Sequence, residues 1–397
     1  MEILREGRWR LLLVCWLGWV LDFQALILFP MLKSLIGVDI AISESDYSWI
    51  SGLSLAATGV GGVAIGRFAD RVGRRPAFVL AVASYSLGSL LTACATDYWS
   101  LLLARIFTGL GVGGEWGVGH AIVAESVPAR MRGRAAGILQ AGSPVAMALG
   151  ALLSGYASEH IGWRGCFCVA SSAILLTPFA WFLIPETRNA TADDAPRPTT
   201  SALELVRPPL LRSSVVVFAL LTLNMAGFWC TYNFLYSYLA TSLGQSLREI
   251  THIQWVISCG HLIGNLSFGY FADRFSRRAV FATYAFAYAA GTLGIALGFH
   301  ALSQTLALFV GVIAVVGLGS GNWSCFGALF ADLFPARVRG TASSGFYNIS
   351  RSVQLVAFQV VLFVSATAGI PNGQAGLYLG AGASFLAALV ARALPAK

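Results

Sequence analysis

Four ionisable residues stand inside long apolar runs of this 397-residue chain: Asp22, Arg105, Glu115 and Arg351. A charge in such a place costs several kcal/mol unless it is paired or wet, so each needs a task or a partner. Asp22 falls about 12 residues into the first run and Arg351 about 10 residues into the eleventh, both near mid-bilayer at ~1.5 Å per residue. A carboxyl that is desolvated and then rewetted can trade a proton, which makes Asp22 the expected carrier, with an Asp held by helix partners as the alternative. Gln24 and Ala25 follow Phe23, so this run brings no second carboxyl. Arg351 presents a planar donor fork that matches a carboxylate, the expected substrate anchor; its rival role is a permanent pair with Asp22 or Glu115. Glu115 can share the proton, partner Arg351 or make a helix-packing hydrogen bond. Arg105 lies near one end of the fourth run, where a cation can also snorkel to the interface.

A ligand wall needs apolar bodies with a few polar contacts. The seventh run offers Trp229, Tyr232, Asn233, Tyr236 and Tyr238 within ten residues, of which Tyr232 and Asn233 are expected at the cavity. His261 and Asn265, four apart on one helix face, are further candidates, as are Asn322, Trp323 and Asn348. Bond-breaking chemistry is not expected. Cys166 and Cys168 form a CxC with no second ligand pair near it, so no metal is expected. No nucleophile and base stand out, and no cofactor is implied. The other cysteines read as small reduced packing residues.

The elements that must position these groups are membrane helices. Residues are 57% hydrophobic and 11% charged, with mean hydropathy +0.72, a balance a water-soluble surface could hardly carry. A span takes about 20 apolar residues, and the runs are too long and too little alternating for a barrel. Twelve are expected, and the fold class is all-α: two pseudo-symmetric six-helix bundles around a central cavity. The bundles are expected at residues 1–185 and 213–397, joined by a Pro-, Thr-, Asp- and Arg-rich cytoplasmic linker at 186–212. Only Lys33, Arg164 and Arg248 fall on outer loops, and Arg105 and Arg351 within spans, so the other 21 of 26 basic residues (26 − 5) lie on the inner side. That bias puts both termini in the cytoplasm, and it accounts for the net charge of +8 without nucleic acid. Glycines spaced by four, Gly62 and Gly66, Gly109, Gly113 and Gly117, and Gly317 and Gly321, are expected to let helices approach closely.

The chain is one module written twice. GRFADRVGRR at 66–75 returns as GYFADRFSRR at 269–278, an offset of 203 (269 − 66), and PARMRG at 128–133 returns as PARVRG at 335–340, an offset of 207 (335 − 128). The same offset carries Glu115 onto Asn322. So large a repeat means two similar halves rather than a solenoid.

The first hairpin resembles the Gly-x-x-x-Asp-Arg-x-Gly-Arg-Arg/Lys loop of the major facilitator superfamily through Gly66, Asp70, Arg71, Gly73, Arg74 and Arg75; the second departs only at Ser276. The resemblance implies two bundles that rock to expose a central site to each side in turn. Residues 105–133 and 334–351 are similar to the fourth and eleventh helices of its metabolite and proton symporters, among them sialate, lactate and aromatic-acid importers. Pro185-Glu186-Thr187 resembles the end of the family's sixth helix. The likeness implies that Arg105 works with the first helix in proton coupling. It further implies a cytoplasmic latch, in which the Asp70 hairpin reaches the start of the eleventh helix while the outer side is open. Asp273, Arg274, Arg277 and Arg278 form the second copy of that hairpin, and Glu125, Arg132, Asp332 and Arg339 flank or form the PAR-x-RG loops. The bland alternative is that these charges only set topology. AGSPVAMALG at 141–150 lacks the Gly-Pro-x-x-Gly-Gly of many drug antiporters, which argues against efflux.

The expected function is proton-coupled import of a small organic anion by a monomer in a bacterial inner membrane, bacterial origin being inferred from size and short loops. Its partners are the substrate, protons and the lipid bilayer. The alternatives are proton-coupled efflux of an amphipathic compound and, from another class, a membrane sensor that moves nothing.

Overall fold

The computed structural model describes residues 8–128, 131–185 and 202–394, and every regular element in them is helical. Twelve spans cross from end to end. In the first half they are α1 (Arg8–Met31), α2 (Glu44–Val72), α3 (Arg74–Ala93), α4 (Tyr98–Ser126), α5 (132–161) and α6 (163–183). The second half holds α7 (Leu211–Ser237), α8 (Leu247–Arg274), α9 (Arg277–Ser303), α10 (306–333), α11 (336–368) and α12 (Asn372–Val390). Among the described residues nine segments qualify as spans by length and hydropathy alone. One of them, Arg134–Leu183, is 50 residues long and doubles back at Gly162, whose φ of 65° breaks the helix into α5 and α6. The remaining two, α4 and α8, are 29 and 28 residues long, and both carry charges along their length.

The basic hairpins share one end of the molecule, called here the basic end. At the opposite, far end, α2, α4 and α8 open with reciprocal capping boxes: Ser43 with Asp46, Asp97 with Ser100, and Ser246 with Glu249. The first and third of these are themselves repeat copies, each residue displaced by 203 (246 − 43 and 249 − 46). The duplication therefore extends to both ends of the helices.

Within each half, small residues seat one helix directly on another's backbone. A Cβ on Gly113 of α4 would lie 1.8 Å from the Thr58 carbonyl of α2, and one on Gly317 of α10 would lie 2.2 Å from the Ile257 carbonyl of α8. Gly109 and Gly321 behave alike. Gly66 and Gly117 do not: one faces open space and the other meets nothing closer than 3.9 Å, so the four-residue spacing overstates the packing there. Between the halves, α2 packs along α11 and α5 along α8, pairings that the repeat makes equivalent.

The two hairpins turn differently. Gly73 takes φ 127°, open to glycine at little cost, whereas Ser276 sits at φ −64° and caps α9 by accepting from the Ala279 amide. The serine thus replaces the glycine by a different turn rather than by a strained one.

Replacing Gly113 by Leu should abolish the α2–α4 contact and the yield of monodisperse protein, while Gly66→Ala should leave thermal stability within about 0.5 kcal/mol of the parent. Size-exclusion thermal-shift measurements on the two variants check this.

Candidate functional site

Helix irregularities gather around the middle of the molecule. α5 breaks between Gln140 and Gly142, α10 tightens into a 3-10 turn over Ser320–Ser324, and α11 breaks at Val353. Such breaks often mark functional positions in membrane helices, and here they flank Gln140, Ser143, Trp323 and Arg351, all of which line one central cavity. Its apolar walls come from both halves: Trp19 and Phe23 of α1, Phe228 and Trp229 of α7, Trp323 of α10 and Tyr347 of α11. The volume is about 20 Å³, room for roughly one water. The site is closed around itself.

Arg351 is 1% exposed. Its Nη2 donates to the Tyr347 hydroxyl at 3.0 Å, one helical turn back, and the guanidinium carbon lies 4.9 Å from the centre of that ring. Nε and Nη1 have no partner. Across the cavity wall, Asp22 of α1 and Glu115 of α4 lie side by side within hydrogen-bonding reach of each other, both in the electrostatic field of Arg351. Neither carboxyl accepts a hydrogen bond from a neighbouring donor. Glu115 reaches the α1 backbone because position 18 is glycine, where a Cβ would sit 2.7 Å from Oε1. Two adjacent carboxyls are a place to keep a proton between them, and an open guanidinium fork is a place to receive a carboxylate. Trp116, which follows Glu115 in the chain, stacks on Tyr347 with centroids 3.9 Å apart and planes 2° from parallel, an aromatic contact between the two halves.

The other expected residues divide. His261 and Trp323 line the cavity, and neither nitrogen of the His261 ring has a partner. Asn322 instead donates to Asn224 of α7 at 2.6 Å, a helix-packing pair in the half that lacks the carboxyls. Tyr232 is fully buried against Phe228, behind the wall, and Asn265 accepts from Ser324 at 3.1 Å. Asn348 lies on the α2–α11 seam, where a Cβ on Gly62 would meet its amide nitrogen at 2.5 Å. Sequence reading passed over Tyr347, Gln140 and the cavity aromatics of α1. Tyr347 was signalled by its position four residues before Arg351; the others carry no signal until the helices are assembled.

Arg105 does not snorkel. It is 1% exposed, Nη1 donates to the Ala25 carbonyl of α1 at 3.1 Å, and its guanidinium lies 4.9 Å from the centre of Phe29. Phe29 stacks on Tyr47 at 5.1 Å, and the Lys33 ammonium lies 4.5 Å from the Tyr47 ring. This column of cation, ring, ring and cation leads to the far end, where Tyr47 donates to Asn233 of α7 at 3.1 Å and Lys33 to Ser237 at 3.1 Å. Asn233 thus belongs to the seam between the halves. Further bonds cross that seam nearby: Arg248 to Glu159, Trp255 to the Ala148 carbonyl, and Thr251 to the Ala151 carbonyl.

The basic end is organised within each half. Arg74 pairs with Asp70 at 2.9 Å and with Glu125 at 3.5 Å, and Arg277 with Asp332, the repeat copy of the latter pair (277 − 74 = 203; 332 − 125 = 207). Arg75 rests on Trp181, Arg274 on Tyr270, and Arg339 caps the Ala331 and Phe334 carbonyls. Arg71, Asp273 and Arg278 are exposed. The side chain of Arg132 lies outside the described residues. The ion pairs described at this end, Arg74 with Asp70 and Glu125 and Arg277 with Asp332, each lie within one half, whereas at the far end the pair of Arg248 with Glu159 crosses between the halves.

The Major Facilitator Superfamily pattern matches residues 14–229 and again 217–397. The chain belongs to this superfamily. It is a multi-pass membrane transporter and not an enzyme. It is 26% identical over 369 residues to the sialic acid transporter NanX of Escherichia coli, covering 89% of this chain and 87% of that one. With the cis,cis-muconate transport protein of Acinetobacter baylyi it shares 25% identity over 375 residues, 91% and 88% of the two chains. The fold matches a crystal structure of a D-xylose-proton symporter with TM-score 0.75 at 19% identity, covering 98% and 99%.

Hydrogen bonds from Arg248 hold the Glu159 carboxyl below the usual carboxylate range. A lowered value means the bond helps close the far end above about pH 4.3, the ordinary range of an unpaired Glu, and is lost as pH falls through the lowered value. Spin labels at positions 161 and 241, with exposed Cys94, Cys168 and Cys259 changed to Ser, should report one short distance from pH 5 to 8. A longer component should appear below pH 4, and Glu159→Gln should bring it up at pH 7.

Proposed function

We propose that this transporter imports a small organic anion together with protons. The observation that carries the reading is the pair of free guanidinium nitrogens on Arg351 at the cavity, beside two carboxyls that leave them unbonded. A permanent structural Arg would have closed on Asp22 or Glu115, since an unpaired buried cation is costly. Left open, the fork accepts a substrate carboxylate bidentately, and the aromatic walls cover an apolar or planar body. The organic-acid substrates named for the sialic acid and muconate transporters support an anionic cargo.

Asp22 and Glu115 hold the coupling proton. With the far end open, water reaches the pair and loads it while the substrate settles on Arg351. With the pair protonated and the guanidinium neutralised by the substrate carboxylate, less charge is left in the cavity and it can close. When the basic end opens, both proton and anion leave. Arg105 ties the proton-bearing helix to the far-end seam through Ala25 and the ring column, so that loading and gating move together. We further infer that the basic end faces the cytoplasm of a bacterial inner membrane, because positive residues accumulate there, with bundles at 1–185 and 213–397 joined at 186–212 and the chain acting as a monomer. The Asp70 and Asp273 hairpins then latch the inner side only in the outward-open state.

Proteoliposomes should accumulate a fitting acid when the inward proton gradient is raised. Asp22→Asn should remove gradient-driven accumulation while leaving substrate exchange, and accumulation that survived this change would sink the assignment. Arg351→Lys keeps the charge but loses the fork, so KM for uptake should rise at least tenfold. Thermal-shift screening should find stabilisation by carboxylates and not by organic cations.

A further inference from the structure

A second cavity, of about 570 Å³, opens on the outer surface of the bundle between α1 and α6. On α1 it runs from Arg10 past Leu13 and Leu17 to Leu21, one helical face; on α6 it runs from Ser172 past Leu175 and Phe179 to Leu183. The two helices are antiparallel, so Arg10 and Leu183 share the basic end of the groove while Leu21 and Ser172 share its inner limit. Each wall runs over 12 residues, from Arg10 to Leu21 and from Ser172 to Leu183, a rise of about 16 Å at ~1.5 Å per residue, close to half of a hydrocarbon core of about 30 Å. The groove is therefore one leaflet deep. The 3-10 turn at Ser172–Leu175 departs from the α-helix at the groove's inner end.

We propose that this groove binds one anionic glycerophospholipid, an acyl chain lying between α1 and α6 and the phosphate meeting Arg10. Leu13, Leu175 and Phe179 are 43%, 66% and 61% exposed, large apolar side chains offered to a chain that can lie along them. At the headgroup level the groove changes character: Arg10 is exposed, with its guanidinium carbon 5.5 Å from the centre of the Trp9 ring, and an aromatic with a cation is the combination suited to a phosphate at the interface. A zwitterionic lipid would fill the apolar part equally well but bring no net charge to the arginine. The opposite face of α1 carries Trp19 and Phe23 of the central cavity, so the lipid buttresses the helix that holds the proton-bearing Asp22.

Native mass spectrometry of the full-length protein, titrated in detergent with phosphatidylglycerol or phosphatidylcholine, tests this. One phosphatidylglycerol should bind at lower concentration than phosphatidylcholine by about fivefold, the factor that a single basic residue contributes at an anionic surface. Arg10→Gln should bring the two lipids level, and Leu175→Ala, which removes apolar wall at an exposed position, should weaken both. Equal binding of the two lipids by the parent protein would overturn the proposal. So would an unchanged preference in Arg10→Gln, or an absence of any one-to-one adduct, which would mean that the groove is covered by the chain's own segments.

Discussion

A guanidinium carried to the middle of an apolar bundle and given one phenol for company is the constraint on which this structure turns. Arg351 cannot be left bare in lipid, so every helix that touches the centre contributes to enclosing it: aromatic walls from α1, α7 and α10, a break in its own helix, and a pair of carboxyls near enough to be felt but too far to bond. On the proposed reading, the substrate fills the two vacant donor positions. On that reading the rest of the architecture lets this happen from one side of the membrane at a time.

The duplication supplies the means and its failures supply the chemistry. Matching glycine seats, matching capping boxes and matching Arg–acid pairs at the basic end make two halves of like construction. Even the tyrosines that donate to α1 and α7 are copies, Tyr85 to Gly18 and Tyr288 to Gly227. At the centre the copies part company. The first half has two carboxyls, the second has Asn224 hydrogen-bonded to Asn322 and, beyond it, the arginine. Two carboxyls and an arginine stand in opposite halves of a symmetric frame.

Much of this was legible in the chain itself. Helix number, hairpins and repeat follow from solvent and spacing, because lipid leaves few solutions for a backbone. The four intramembrane charges could likewise be picked out, since their cost is local. Their partners could not. That Glu115 reaches Asp22 depends on the missing Cβ of Gly18, and that Arg105 spends itself on a backbone carbonyl and a ring depends on how α1 lies against α4. Asn233 and Asn322 have the same composition cue, yet one faces the seam between the halves and the other faces its own bundle. Side-chain type says what a residue can bond; only assembly decides which neighbour arrives.

The single-water cavity has a bearing on the membrane as an insulator. A transporter with charged groups at mid-depth threatens to become a wire, since any file of waters linking the two faces would carry protons whether or not cargo moved. Here the central cavity, walled by Trp19, Phe23, Phe228, Trp229, Trp323 and Tyr347, has room for roughly one molecule. A transporter that passes through a shape packed this tightly at its centre would hold back a proton gradient while it did so.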